Sequence, residues 1–164
     1  IKTWCNLFGL QGICLRYFNV FGPREVLVGQ YAPVVGIFFR QALSDKIPLT
    51  IVGDGEQKRD FTYVEDVVRA YDAFFKSDMK KGVFNLGGGK NNTISLLEFT
   101  DFLEGKTGKK MNLAFSDWRP SDQKVYISDI SKIKSALGWE PRVNCRQGIE
   151  KVIGWVEKNI DYFK

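Results

Sequence analysis

Asn19, Arg59 and Arg119 are the residues whose type and setting best suit them to hold a ligand. Asn19 follows the apolar run Gly12–Phe18 (GICLRYF), which reads as a buried strand. The segment Asn19–Pro23 then emerges at that strand's carboxyl edge, where open α/β sheets place their ligands. The plainer reading is that Asn19 only caps the turn into Gly22-Pro23. Arg59 and Arg119 carry planar guanidinium forks, which suit bidentate contact with an anion better than an ammonium does. Their plainer reading is a surface residue or a salt bridge with a neighbour such as Asp60, and that reading is the default for Arg16, Arg24 and Arg142. The chain has no histidine, which excludes from it any Ser-His or Cys-His nucleophile and the commonest general base. Two glycine clusters invite comparison with phosphate loops. Gly53-Asp54-Gly55 does not sit between a strand and a long helix, and Gly87-Gly88-Gly89-Lys90 lacks the Walker spacing, so both read as turns.

Four segments, in order, carry a resemblance that periodicity cannot supply: Leu15-Arg16-Tyr17-Phe18-Asn19-Val20-Phe21-Gly22-Pro23, then Gly53 to Val67 (GDGEQKRDFTYVEDV), then Phe84-Asn85-Leu86-Gly87-Gly88-Gly89, then Arg119-Pro120-Ser121-Asp122-Gln123. Together they resemble the C-terminal half of the NAD-dependent epimerases and dehydratases, the extended short-chain dehydrogenases that act on nucleotide sugars, over nearly the whole chain. The resemblance implies a Rossmann-type α/β fold with a small α/β substrate-binding domain. It places the Asn19 amide on the substrate's diphosphate or sugar, Arg59 and Arg119 on the diphosphate, and Asp122 on the nucleoside ribose. It lays the backbone of Tyr17, Phe18, Asn19 and Val20 against the nicotinamide of NAD. In the family, NAD is held mainly by an N-terminal Gly-x-x-Gly-x-x-Gly turn, and a Tyr-x-x-x-Lys pair moves the hydroxyl proton; neither has a counterpart here. None of the six tyrosines is followed by Lys four residues on, so no catalytic residue is assigned. The resemblance is nearest to CDP-paratose (tyvelose) 2-epimerases, which implies transient oxidation and re-reduction of a CDP-linked sugar. UDP-glucose 4-epimerases and sugar-nucleotide 4,6-dehydratases share most of the pattern, and a non-catalytic nucleotide-sugar-binding fragment is the reading from another class. Ser121 stands where many relatives have Gly, and Phe21 where Tyr is common.

The elements that must position these residues follow an α/β rhythm. Ile1, Trp4, Cys5 and Phe8 recur at helical spacing before Gly9, as the last turns of a helix that begins upstream. Residues 1–24 are expected to be the tail of the NAD-binding domain, and 25–164 mainly the sugar-nucleotide-binding domain with segments returning to the Rossmann sheet. The spacing predicts helices over Pro33–Ser44, Val64–Lys76, a segment opening at Ser95, Ile130–Leu137 and Cys145–Ile160. Val64, Val67, Val68, Tyr71 and Phe75 are expected to form a buried helix face. Short strands are expected at Leu49–Val52, Arg59–Thr62, Val83–Leu86 and Met111–Phe115.

A chain of 164 residues, 44% hydrophobic and 26% charged, can bury a sizeable core. Its net charge of +5 is spread among interleaved acids, which argues against a nucleic-acid stripe. No apolar run approaches the roughly 20 residues of a membrane span, and Ile1–Cys5 lacks the order of a signal peptide, so the expected location is the cytoplasm, with no membrane or nucleic-acid partner. Cys5, Cys14 and Cys145 are widely spaced and read as apolar thiols, with no metal site. A homo-oligomer is expected of the full-length protein, and an exposed apolar patch where absent strands would pack.

Overall fold

The computed structural model describes residues 1–25, 34–43 and 48–159. In chain order the elements are α1 (Lys2–Phe8), β1 (Gly12–Tyr17), β2 (Val20–Phe21), α2 (Val34–Leu43), β3 (Leu49–Val52), β4 (Lys58–Asp60), β5 (Thr62–Tyr63) and α3 (Val64–Phe75). There follow β6 (Lys81–Leu86), a 3-10 turn at Lys90–Asn92, β7 (Thr93–Ser95), α4 (Leu96–Thr107), β8 (Leu113–Ser116), β9 (Val125–Tyr126), α5 (Ser131–Leu137) and α6 (Cys145–Lys158). The expected helix ends Pro33, Ser44 and Ile160 lie outside the described residues. The chain packs as two units with interleaved sequence: Ile1–Val20, Asp60–Thr93 and Ile127–Cys145 in the first, Phe21–Arg59, Ile94–Tyr126 and Arg146–Lys164 in the second.

The first unit is built on two parallel strands, β1 and β6, in register from Gly12↔Lys81 to Tyr17↔Leu86. The alternation of a strand puts Ile13 and Leu15 on one face with Phe84 and Leu86. There they pack with Ala70 and Val67 of α3, Ile133 of α5 and Trp139. β1 is only half-buried, and Arg16 and Tyr17 at its end are exposed, so it is not the fully buried strand its composition suggests.

A second correction concerns α3. Of the five residues expected to form its buried face, Val64, Val68, Tyr71 and Phe75 are exposed and only Val67 reaches the core. The buried residues are Asp66 and Ala70. Asp66 is held by partners distant in sequence. Its Oδ1 accepts the Arg142 N–H at 3.2 Å and its Oδ2 the Val143 N–H at 3.2 Å. The Arg69 guanidinium pairs with the same carboxylate, and the Trp139 indole N–H donates to the Asp66 carbonyl at 2.9 Å. A carboxylate can be this buried because every side of it meets a donor.

The second unit pairs β3 with β8 in parallel, from Leu49↔Leu113 to Val52↔Ser116, and β4 with β9 in parallel, Lys58↔Val125 and Arg59↔Tyr126. Its core brings Phe38 and Phe39 of α2 edge-on to Phe99 of α4, with the Phe38 and Phe99 ring centres 5.0 Å apart. α4 starts where the sequence says it should. Ser95 Oγ accepts the Glu98 N–H at 3.1 Å and Glu98 Oε2 accepts the Ser95 N–H at 2.8 Å, a reciprocal capping box. No helix among the described residues is long and apolar enough to cross a membrane.

Candidate functional site

Asn19 sits in the first unit, two residues beyond the end of β1 and next to Phe18, whose N–H donates to the Leu86 carbonyl at 3.1 Å. Its φ of 45° places it in the left-handed region, where asparagine is among the few tolerated side chains. Its carbonyl accepts the Thr62 N–H at 3.1 Å. The backbone is thereby fixed, and the side-chain amide makes no hydrogen bond among the described residues. Tyr17, beside it, is turned to another use: its hydroxyl bonds that of Tyr71 on α3. Partial burial, and then that bond, push the Tyr17 hydroxyl up to about 12, which keeps it protonated at neutral pH.

Arg59, Arg119 and Asp122 all belong to the second unit. β4 carries Arg59, pinned by the Lys58 N–H to Lys124 carbonyl bond at 2.8 Å. Its Nη2 lies 3.1 Å from Asp122 Oδ1, and its Nη1 donates to the Lys58 carbonyl at 2.9 Å. The salt bridge with Asp60 that the plainer reading offered does not form. Asp60 is fully buried, and its Oδ2 accepts the N–H groups of Gly89 at 2.9 Å and Ser128 at 3.1 Å. Asp60 is thus a fastener for the glycine cluster after β6. Gly88 in that cluster is required by close approach, since a Cβ there would come within 2.2 Å of the Phe61 carbonyl oxygen.

Arg119 and Asp122 stand at the two ends of a β-turn closed by the Asp122 N–H to Arg119 carbonyl bond at 3.2 Å. Pro120 occupies its second position and Ser121, with φ 66°, its third. That is the pattern of a type II turn, whose third position favours glycine. Serine at this third position is therefore strained by its left-handed backbone. The Arg119 side chain is exposed and has no ion pair among the described residues.

Sequence reasoning missed Trp118. Its ring lies against Gly53, where a Cβ would come within 2.5 Å of the indole, and Gly53 also has φ 83°. Lys124 Nζ stands 5.8 Å from the same ring. Gln57, buried, donates to the Val52 carbonyl at 2.6 Å, so the Gly53–Gly55 turn and the residue preceding Arg119 brace each other. The available signal was a large aromatic beside Arg-Pro together with a glycine turn that precedes no helix.

The first unit also holds a depression of about 600 Å³ lined by Gly88–Asn92, Ile127–Ser131, Lys134 and Glu140–Arg142 among others; none of Asn19, Arg59, Arg119 and Asp122 lines it. Size alone does not make it the site. Its Lys134 and Glu140 are paired with each other at 2.5 Å. Among the described residues no group of three or more Cys, Asp or Glu is placed to hold a metal, and the three cysteines form no disulfide.

A model of the NAD dependent epimerase/dehydratase family matches residues 1–87. The chain belongs to that family. It is 37% identical over 163 residues to a UDP-glucuronate 4-epimerase of Thermodesulfobacterium geofontis, a match covering 99% of this chain and 48% of the relative. A CDP-paratose 2-epimerase of Salmonella typhi is 32% identical, over 93% of this chain and 46% of the relative. Among solved structures, the UDP-glucose 4-epimerase of Thermotoga maritima with UDP-glucose superposes with a TM-score of 0.84 at 33% identity, covering 97% of this chain and 50% of that one. The α/β architecture is therefore that of the extended short-chain dehydrogenases, and the chain spans about half the length of the relatives it matches.

Proposed function

We propose that this chain is the nucleotide-sugar-binding part of an NAD-dependent nucleotide-sugar epimerase, and that its nucleotide is UDP. The observation that carries the reading is the Arg59–Asp122 pair at 3.1 Å, with the unpaired guanidinium of Arg119 at the far end of the turn that carries Asp122. Two arginines and one acceptor carboxylate suit a ligand with a diphosphate and a ribose. Arg59 and Arg119 would grip the diphosphate, Asp122 would accept from the ribose hydroxyls, and the Asn19 amide would meet the diphosphate or the sugar. The CDP-linked sugar expected from the motifs gives way to a UDP sugar, because the similarity to a UDP-glucuronate epimerase is higher and longer than that to the CDP-paratose enzyme.

The backbone of Tyr17–Val20 fits a nicotinamide in one respect: the left-handed Asn19 turns the chain sharply at the carboxyl end of a parallel strand. Bound there, NAD would supply reversible hydride abstraction from the sugar. The chain's own residues bind and orient. Binding energy at the diphosphate, far from the reacting carbon, goes into holding the sugar in place. Tyr17, whose hydroxyl bonds that of Tyr71, is assigned no part in the proton transfer. We assign the first unit to the cofactor domain and the second to the substrate domain; a cytoplasmic location goes with this reading and rests on the sequence.

Calorimetric titration of the 164-residue chain with UDP, CDP, GDP and dTDP tests the reading, with an Arg59→Ala, Arg119→Ala double variant as control. Binding of UDP that is lost in the variant is the expected result. Preference for CDP would restore the first expectation, and equal binding by wild type and variant would remove these arginines from the site.

A further inference from the structure

Residues 117–124, which join β8 to β9 in the second unit, carry both Arg119 and Asp122. Ser121 among them has φ 66°, a left-handed backbone that persists in a non-glycine residue only where its surroundings impose it. Inside the segment the turn is closed by the Asp122 N–H to Arg119 carbonyl bond at 3.2 Å. The neighbouring strands supply further restraint from both ends. At the β9 end the Lys124 carbonyl accepts the Lys58 N–H at 2.8 Å, and Asp122 Oδ1 lies 3.1 Å from Arg59 Nη2. At the β8 end the Ser116 carbonyl accepts the Gly53 N–H at 2.8 Å, and the Trp118 indole occupies the space that a Cβ on Gly53 would fill. The seat under that ring is itself fixed: the Gly55 carbonyl accepts the Leu97 N–H at 3.1 Å, and Asp54 Oδ1 accepts the Glu56 N–H at 2.9 Å. Lys124 Nζ stands over the ring, 5.8 Å from its centre. The side chain of Arg119, the next residue, is exposed and has no ion pair among the described residues, so its placing depends on the backbone between Trp118 and Asp122.

We propose that Trp118 is a positioning residue of the nucleotide site: seated on Gly53, its indole fixes the backbone from which Arg119 reaches the diphosphate. The inference rests on the proposed function, in which Arg119 grips that group, and names what makes the grip ready before the ligand arrives. An arginine on a free loop gives up backbone and side-chain freedom when it meets a ligand, whereas one on a turn already held at both ends gives up only the freedom of its own side chain. Gly53 then belongs to the site although it offers a ligand no side chain. Any other residue there would push the ring away and would be strained at φ 83°. A purely structural role accounts for less. The core tryptophan of the first unit, Trp139, is 3% exposed, while Trp118 is only half-buried and is spent on a turn.

The test compares the wild-type chain with Trp118→Ala and Trp118→Phe in two measurements, with circular dichroism to confirm that the half-buried position leaves the fold intact. In the ligand-free chain the Asp122 amide proton, which closes the turn, is expected to exchange about tenfold faster in Trp118→Ala, read by NMR, and to stay near the wild-type rate in Trp118→Phe. In calorimetric titration with UDP, Trp118→Ala is expected to weaken binding about fivefold, the scale of ordering one or two more side chains, and Trp118→Phe to restore most of it. Because Trp118 acts through Arg119, Arg119→Ala should cost less than about a further twofold in the Trp118→Ala background, where independent residues would show their full losses added. Unchanged Asp122 exchange in Trp118→Ala overturns the inference whatever UDP does, and so do losses that simply add. If the wild-type chain binds no UDP, the nucleotide reading fails and takes the role of Arg119 with it, while the exchange rates still decide whether Trp118 holds the turn.

Discussion

Asp66→Asn tests the packing logic of the first unit most sharply. Both oxygens of this fully buried carboxylate accept backbone donors, from Arg142 and Val143, and the Arg69 guanidinium pairs with it. An amide of the same shape has one acceptor and must turn its NH2 toward one of those N–H groups. Leaving one buried donor unmet costs about 1–3 kcal/mol. Losing the charge opposite Arg69, which is partly exposed, adds about 1 kcal/mol. The sum is about 3 kcal/mol, a large share of a domain stability of roughly 5–15 kcal/mol. With a urea slope of about 2 kcal/mol/M, the midpoint should fall by about 1.5 M. The assay is urea unfolding followed by circular dichroism, with hydrogen exchange at Val143 as the local reporter. Asp72→Asn on the same helix is the control: its bond to Lys76 is 2.7 Å but both side chains are more than half exposed, so it should cost less than about 0.5 kcal/mol. Equal midpoint shifts in the two variants, or a fall of less than about 0.3 M for Asp66→Asn on that same slope, would refute the claim that Asp66 anchors the Trp139–Val143 loop.

Ser121→Gly should raise stability by about 0.5 kcal/mol, because relief of a left-handed serine exceeds the entropy added to the unfolded chain; thermal melting checks it, with nucleotide affinity unchanged. Gly88→Ala should lower stability by about 1–3 kcal/mol, since its Cβ meets backbone. Gly105→Ala, with nothing within 4 Å inside α4, should raise stability by up to about 1 kcal/mol; the two melts must shift in opposite directions. Burial pushes the Glu25 carboxyl up from 4.5 to about 7, partly offset by the Gly22 amide. The unfolded chain therefore releases this proton first as pH rises, so the stability Glu25 contributes is full below 4.5 and lost through 7. After allowance for partial exposure the loss is about 1–2 kcal/mol, and Glu25→Gln should remove it from a urea-midpoint series over that range.

Local signals in the sequence were reliable where the partner is also local. The helix expected to open at Ser95 does open there, and Glu98 three residues on completes its cap. Turn residues placed the stop after β3 at Gly53. What periodicity shows on α3 is an apolar stripe, and it cannot show what covers that stripe. The residues that turn inward, Asp66 and Ala70, include a carboxylate whose bonds run to residues 76 and 77 positions away. Reading a buried aspartate from sequence would require knowing that loop in advance. β9 has two residues, too few for alternation to register. At the site, Arg59 was legible as a cation but its partner was not, because Asp122 is 63 residues distant while Asp60 is adjacent. The Arg119–Asp122 turn announced itself through Pro120, whereas the left-handed conformation of Ser121 could be suspected only from the glycine expected at that place.

The Arg59-Asp60 step shows how two adjacent residues of one motif are put to different uses. Successive residues on a strand point to opposite sides. Along β4, Lys58 is exposed, Arg59 partly covered and Asp60 fully buried. Two opposite charges side by side in sequence therefore cannot meet, and each must find a partner across space. Arg59 finds Asp122 and stays within reach of solvent, so its pair contributes little to stability. Asp60 is committed to the Gly89 and Ser128 amides. The dipeptide thus divides into a group left within reach of solvent and a group that holds the fold. Sequence adjacency, which suggests a salt bridge between them, is the reason none can form.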